Sequence, residues 1–302
     1  MLLDRLLAKL DVEVEPFALC LVSSGWRLRL PGPPAVMLHF VLAGRGILQA
    51  SDGGERPLVP GTLAVIPKGS PHAIGPQGEA LREHQPGADQ EEVRVIAAGE
   101  PGEAALTVAC GLVRVRYGSA LGLFDQLERP LVEDLSAMPR ARPLFEDLLA
   151  EQREPGPGSG VMQTALMSQA LVLLLRRLCQ QGECGLPWIA GLQDPRLARV
   201  LERILEDPAR PFTVESLASE AAMSRSAFAE GFTVAFGLPP MALVQRVRLE
   251  RARQLLERGS ALSMDAVARR VGYASRSHFS RSFRKQYGMA PNALRALSGN
   301  FG

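Results

Sequence analysis

From Phe17 to about Val115 short apolar runs alternate with Gly and Pro punctuation: ALCLV, WRLRL, VMLHFVL, GILQA, TLAVI, VRVIAA and LTVACGLVRVRY. Runs of roughly five residues separated by turn formers predict a β-sandwich or barrel rather than alternating βαβ units. The stretch MLLDRLLAKLDVEVEP before them reads as an amphipathic helix. After Tyr117 the period changes. Leu144 to Glu151 and Met162 to Gln181 have helical spacing, and EPGPGSG between them, residues 154–160, has the composition of a flexible loop. The second of these helices is apolar on more than one face, through Leu166, Ala170, Leu171, Leu173, Leu174, Leu175 and Leu178, so packing within the chain and a homodimer contact both explain it. Asp194 followed by Pro195 is a helix start, and the chain reads as helices with short turns from there to Leu297. The expected class is α+β: a strand-rich domain at 1–118, a helical linker at 119–193 and an all-α domain at 194–302.

Within the last segment one pattern occurs twice. Ser224, Arg225, Ser226, Phe228, Phe232, Phe236, Gly237 and Pro240 correspond, 51 residues on, to Ser275, Arg276, Ser277, Phe279, Phe283, Tyr287, Gly288 and Pro291. Upstream, Leu217 and Ala218 correspond to Val267 and Ala268 at an offset of 50, so the second copy carries one extra residue in its turn. Each copy reads as a helix-turn-helix. A short helix, Glu215 to Ala221 or Met264 to Arg270, has a small Ala at the crossing point, and a tight turn follows, with Gly272 able to take positive φ in the second copy. Ser224 or Ser275 caps a second helix whose aromatic residues at i and i+4 turn inward. The outward face is then forced: Arg225, Ser226, Ala229 and Glu230 in the first copy, Arg276, Ser277, Ser280, Arg281 and Arg284 in the second. Such side chains are what a recognition helix presents to base edges in the major groove.

Charge sharpens this picture. Residues 1–193 hold 17 Lys/Arg and 22 Asp/Glu, whereas residues 194–302 hold 17 and 10, which gives −5 and +7. An excess of Lys and Arg supplies sequence-independent affinity for nucleic acid. The composition, 46% hydrophobic and 22% charged, is that of a globular chain rather than a disordered or fibrous one. Charges at Asp4, Arg5 and Lys9 argue against a secretion signal, and the most apolar run, Ala165 to Leu178, is too short to span a bilayer, so a cytoplasmic protein without a membrane partner is expected. Cysteines at 20, 110, 179 and 184 include no CxxC pair, and reduced thiols are expected there.

The second copy, AVARRVGYASRSHFSRSFRKQYGMAPNALR, with RVRLERARQLL before it at Arg246 to Leu256, resembles the AraC/XylS transcription regulators, over about Leu197 to Arg295. The resemblance implies a connecting helix that holds two recognition helices about 34 Å apart against one face of double-stranded operator DNA. It also implies RNA polymerase as a further partner and tilts the sign of regulation toward activation. Arg281 suits a guanine, Arg284 and Lys285 suit phosphates, and Glu230 suits only a cytosine amino group, because phosphate repels it.

GTLAVIPKGSPH, Gly61 to His72, has the form G-x5-P-x-G-x2-H and resembles the second motif of the cupin barrel, while LHFVLAGRGIL, Leu38 to Leu48, resembles part of the first. Together they imply a double-stranded β-helix (cupin) barrel as a sensor. The usual metal set is incomplete, since His39 stands alone with Val41 two residues on, which disfavours a cupin oxygenase or isomerase. Cys20, His39, His72 and Cys110 remain. They fit three readings: ordinary core residues, ligands of a zinc or copper ion, or a Cys20–Cys110 redox pair with a thiol pKa lowered by the histidines. The arrangement is similar to that of cupin-bearing AraC-type regulators that respond to reactive chlorine. A cupin enzyme fused to a DNA-binding segment and a dimeric regulator that binds no signal stand as alternatives. No role is expected for Cys179 or Cys184.

Overall fold

The computed structural model describes residues 10–78, 82–86, 95–100, 102, 104–118, 121–180, 186–258 and 262–298. They fall into two units, one formed by the described residues of Asp11–Val115 and Leu123–Gly185, the other by Leu10 and the described residues of Arg116–Gly122 and from Leu186 onward.

In the first unit the alternating runs form two facing sheets. One contains, in order, β10 (Val95–Ala98), β2 (Ala18–Ser23), β11 (Ala104–Tyr117), β4 (Val36–Gly44), β7 (Thr62–Ile66) and β13 (Leu131–Asp134), with β1 (Leu10–Val14) also paired to β11; β12 (Leu121–Gly122) pairs with Arg116 and Tyr117 at the end of β11, within the other unit. The other runs β6 (Glu55–Leu58), β5 (Gly46–Ala50), β8 (His72–Pro76), β3 (Trp26–Leu30) and β9 (Arg82–His84). This is the double-stranded β-helix. Period-two alternation sends Cys20, Val22, Val41, Leu106, Val108 and Cys110 from the larger sheet and Leu28, Leu48 and Ile74 from the smaller one into a shared interior. Strand β4 is apolar on both faces because its other side, through Phe40, stacks on Phe145 of α1 (Ala141–Arg153) at 4.2 Å between ring centroids. Helix α2 (Ser159–Gln180) packs on α1 with a stripe of Leu166, Ala170, Leu171, Leu174, Leu175 and Leu178, while Val161 and Met162 stay exposed.

Two expectations need correction. Leu10–Val14 is a strand, not the end of an amphipathic helix, because LDVEV alternates apolar and acidic residues at period two and its β-branched valines suit a sheet edge; residues 1–9 of that stretch lie outside the described residues. The loop expected through Gly160 ends at Gly158, where φ of +89° turns the chain into α2. The Ser159 hydroxyl there accepts from the Gly156 N–H at 2.7 Å and donates to the Glu151 carboxylate at 2.5 Å. Strands β6, β8, β9 and β13 carry too few residues or too much Gly and Pro to stand out by pattern.

In the second unit helices follow one another: α3 (Pro187–Gln193), α4 (Pro195–Glu206), α5 (Val214–Glu220), α6 (Arg225–Phe236), α7 (Pro240–Glu257), α8 (Met264–Arg270), α9 (Arg276–Tyr287) and α10 (Pro291–Ser298). Asp194 caps α4 by accepting from the Arg196 N–H, with Pro195 in the first turn. Among the described residues no single helix is long and apolar enough to cross a membrane.

Candidate functional site

Each repeat is a helix-turn-helix built by the same local rules. Thr213 and Ser216 close a capping box at the start of α5, and Ser263 caps α8. Ser224 and Ser275 accept from the N–H groups of Ala227 and His278, starting α6 and α9, and Gly237 and Gly288 end them in the left-handed conformation at φ of +71° and +72°. In the first turn Met223 N–H bonds to the Ala218 carbonyl, and in the second Tyr273 N–H bonds to that of Ala268. The inserted residue of the second copy is therefore Ala274, between Tyr273 and the cap.

Phe228, Phe232, Phe279 and Phe283 are fully buried and Phe236 nearly so; the rings pack in series, with Phe228 to Phe232 at 5.4 Å, Phe232 to Phe236 at 4.6 Å and Phe279 to Phe283 at 5.6 Å. With those faces committed, Arg225, Ser226 and Glu230 are exposed and Ala229 half-buried in α6, while Arg276, Ser277, Arg281, Arg284 and Lys285 are exposed and Ser280 half-buried in α9. All ten residues singled out from the sequence thus lie on the outer sides of the two second helices.

Helix α7 ties the repeats together. Its Leu249, Ala252 and Leu256 join Val267, Ala268, Phe279 and Phe283 in one core. Polar anchors add direction. The Tyr287 hydroxyl donates to Glu250 at 3.0 Å, Gln245 donates to the Ser282 hydroxyl at 3.1 Å, and Arg248 donates to the carbonyls of Pro208 and Arg210 at 2.7 and 2.8 Å. Burial, then the Glu250 carboxylate, pushes the Tyr287 phenol well above its ordinary range, so it stays a donor at physiological pH. An 18-residue helix spans about 27 Å, a rigid spacer between the two helix-turn-helix repeats.

The structure adds two residues that sequence reasoning missed. Glu215 pairs with Arg225 at 3.0 Å and Asp265 with Arg276 at 3.5 Å. Both acids are second in the first helix of their repeat and both arginines first in the second helix, so the same pair recurs in each copy. The signal was the acid at matched positions, legible once both copies are written one above the other.

In the barrel interior the quartet assembles as two pairs. The imidazoles of His39 and His72 meet Nε2 to Nε2 at 2.7 Å, and the Nδ1 of His72 lies 3.1 Å from the Ser70 carbonyl, which assigns the His72 proton to Nδ1 and makes its Nε2 the acceptor of the His39 Nε2–H. Burial, and next His72, hold the His39 pKa well below the usual histidine value; burial also lowers that of His72. Both are neutral. Cys20 and Cys110 are free and buried, the Cys110 thiol donates to the Val108 carbonyl at 3.7 Å, and burial, followed by the neighbouring Cys20, raises the Cys110 thiol well above its ordinary value. The histidines therefore do not lower the Cys110 thiol pKa, as uncharged imidazoles carry no charge to stabilise a thiolate. Nor does the quartet form a metal cage: among the described residues no three His, Cys, Asp or Glu are grouped to share an ion. Cys179 is exposed and free, and Cys184 lies outside the described residues.

A β-helix barrel and a pair of helix-turn-helix units on one connecting helix define a class, the DNA-binding transcription regulators. Comparison with known proteins gives the family. The family described as Cupin matches residues 2–180, more than half of the chain, and the one described as Helix-turn-helix domain matches residues 217–296. The HTH-type transcriptional regulator MtrA of Neisseria gonorrhoeae is 27% identical over 305 residues, covering 99% of both chains. The RCS-specific HTH-type transcriptional activator RclR of Escherichia coli is 27% identical over 281 residues, covering 91% of this chain and 90% of that one. A putative AraC-like transcription regulator of Streptomyces lividans is 30% identical over 288 residues, covering 91% of each. The chain belongs to the AraC-like transcription regulators that carry an N-terminal cupin domain.

Proposed function

We propose that one subunit reads two successive major-groove segments of an operator, α6 with Arg225, Ser226, Ala229 and Glu230, and α9 with Arg276, Ser277, Ser280 and Arg281, while Arg284 and Lys285 hold phosphates. The observation that carries this reading is the commitment of every repeat phenylalanine to the interior, which leaves the opposite, arginine-bearing side of each helix free for a groove. Arg281 has the reach for a guanine edge. Arg281→Ala is expected to cost about 1–3 kcal/mol of binding and to relax preference at one base pair, whereas Arg284→Ala weakens all sequences alike and lowers the salt slope by about one. Titrations on an operator and its single-base variants separate the two, and uniform weakening by Arg281→Ala would make it a phosphate contact. The boundaries 194–302 for the reading segment, 1–118 for the sensor and 119–193 for the linker, a homodimer, contact with RNA polymerase, a cytoplasmic location and the absence of catalysis belong to the same reading.

For the signal, the buried Cys20 and Cys110 thiols on adjacent strands support a redox switch over a metal or an inert core. In the strand register Cys20 faces Val108 while Cys110 faces Ala18, a diagonal arrangement. Diagonal neighbours stand about 7–8 Å apart, at or beyond the span of a disulfide, so closing the bond pulls β2 and β11 along each other. A small neutral oxidant such as hypochlorous acid suits a buried, uncharged dithiol. Two thiols give up two protons and two electrons as the S–S bond forms, and hypochlorous acid takes the electrons as its O–Cl bond breaks to chloride and water. The strain makes the bond easy to reduce, which resets the switch. The Escherichia coli relative RclR is a reactive-chlorine-responsive activator, which agrees with this oxidant. Intact mass and operator binding before and after hypochlorite test it: loss of two hydrogens with altered affinity in wild type, and neither in Cys20→Ala or Cys110→Ala, is expected; unaltered binding by wild type ends the proposal.

A further inference from the structure

The two repeats share one architecture but carry opposite charge. From Thr213 to Gly237 the first holds one Arg and three Glu, net −2, whereas from Ser263 to Gly288 the second holds six Lys/Arg and one Asp, net +5. The difference falls at matched positions. Arg269 and Arg270 of α8 stand where α5 has Ser219 and Glu220, and Arg281, Arg284 and Lys285 of α9 stand where α6 has Glu230, Thr233 and Val234. All five of these cations are exposed, as are Glu230 and Val234. Arg225 and Arg276 are the cations the copies share, and Arg225 already faces Glu215 at 3.0 Å. Glu220 pairs with Arg203 of α4 at 3.1 Å, whereas Glu230, on the outer side of α6 one turn on from Ser226, meets no cation among the described residues.

A duplex carries one negative charge for about every 1.7 Å of its axis, so the exposed cations of the second copy draw in DNA of any sequence. The first copy has no such pull. Its outward face brings a carboxylate toward the phosphates, which is unfavourable except where that carboxylate accepts from the amino group of a cytosine in the major groove. Joined through α7 to a repeat already on the DNA, the first copy need not supply affinity of its own. We propose that the repeats divide the work: the second holds duplex DNA through its phosphates whatever the sequence, and the first is a repulsive checking unit in which Glu230 admits only a groove segment that presents a cytosine amino group. This division rests on the reading above, that α6 and α9 enter one duplex, and adds that selectivity at the α6 segment comes from rejecting wrong sequences as much as from binding the right one.

Selection of the full chain's targets from a pool of random-sequence duplexes tests this, followed by titration with a selected duplex and with the unselected pool at several salt concentrations. Wild type should fix one G·C pair in the α6 segment, and replacing that pair by A·T should weaken binding about tenfold. Glu230→Gln should bind the unselected pool about threefold more tightly, the effect of lifting a like charge several ångströms away in water, and should no longer select cytosine there. Val234→Lys, which gives the first copy the cation of the second, should steepen the salt dependence by about one and narrow the gap between selected and unselected duplexes. Arg284→Ala/Lys285→Ala should flatten that dependence by about two on both. Pool binding by Glu230→Gln that is unchanged or weaker, a cytosine still selected by that variant, or a salt dependence on the pool untouched by Arg284→Ala/Lys285→Ala would each overturn the proposal. Footprinting keeps the two readings apart. An α6 segment protected in wild type, with Glu230→Gln behaving as wild type, sinks the division of work and leaves the two-segment reading standing. An unprotected α6 segment, as when that face meets a protein instead of DNA, sinks both.

Discussion

Ala222 and Gly272 hold the same place in the two turns, and both have positive φ, +52° and +88°. An L-residue there carries about 1–2 kcal/mol of strain that glycine does not. Ala222→Gly should therefore raise the melting temperature or leave it unchanged despite the entropy glycine adds to the unfolded chain. Gly272→Ala should lower stability by more than about 1 kcal/mol, because its Cβ would also lie 2.8 Å from the Ala209 Cα. Thermal unfolding of the two single variants checks the pair, and a destabilising Ala222→Gly would contradict the turn geometry. The histidine pair gives a pH dependence. The folded state holds His39 and His72 neutral below the ordinary pKa, so it binds fewer protons than the unfolded chain once pH falls below about 6.5. Stability from this source is complete above that value and is lost on acidification toward the lowered folded pKa. His39→Leu should flatten the profile between pH 7.5 and 5; an unchanged slope would mean that the pair is charged or solvated.

At the level of elements, the two second helices were legible because three independent signals coincided: serine caps, aromatics at i and i+4, and glycine stops. Gly231 interrupts α6 without a structural need. Its φ is ordinary and a Cβ there would meet only the Met223 methyl at 4.0 Å, so Gly231→Ala should stabilise the first repeat by about 0.5–1 kcal/mol, measured by chemical denaturation. Phe279→Ala should do the opposite, at a cost of about 3–5 kcal/mol, and weaken DNA binding through loss of the second repeat. The recurring pairs Glu215 with Arg225 and Asp265 with Arg276 were hidden because a surface carboxylate at one site in a short helix has no periodic signature; only geometry joins it to an arginine ten or eleven residues on. Being exposed, each pair contributes about 0–1 kcal/mol, and its consequence lies in where the arginine points. The Leu10–Val14 strand was misread because the helical pattern of the residues before it was extended through a stretch with period two.

For the molecule as a whole, the two-part plan followed from the change of hydrophobic period and the shift in charge. The approach of Cys20 to Cys110 and the meeting of His39 with His72 did not, because the first depends on strand register across 90 residues of sequence and the second on two strands of facing sheets, 33 residues apart. The account stands on a single duplex engaging α6 and α9 at once. Hydroxyl-radical footprinting of the operator tests it most directly, with wild type beside an α6 variant, Arg225→Ala/Ser226→Ala, and an α9 variant, Arg276→Ala/Arg281→Ala. The account predicts two protected segments about 10 base pairs apart on one face of the duplex, with each variant erasing only its own segment. One segment in wild type, or the same uniform fading of both segments by either variant, would contradict it.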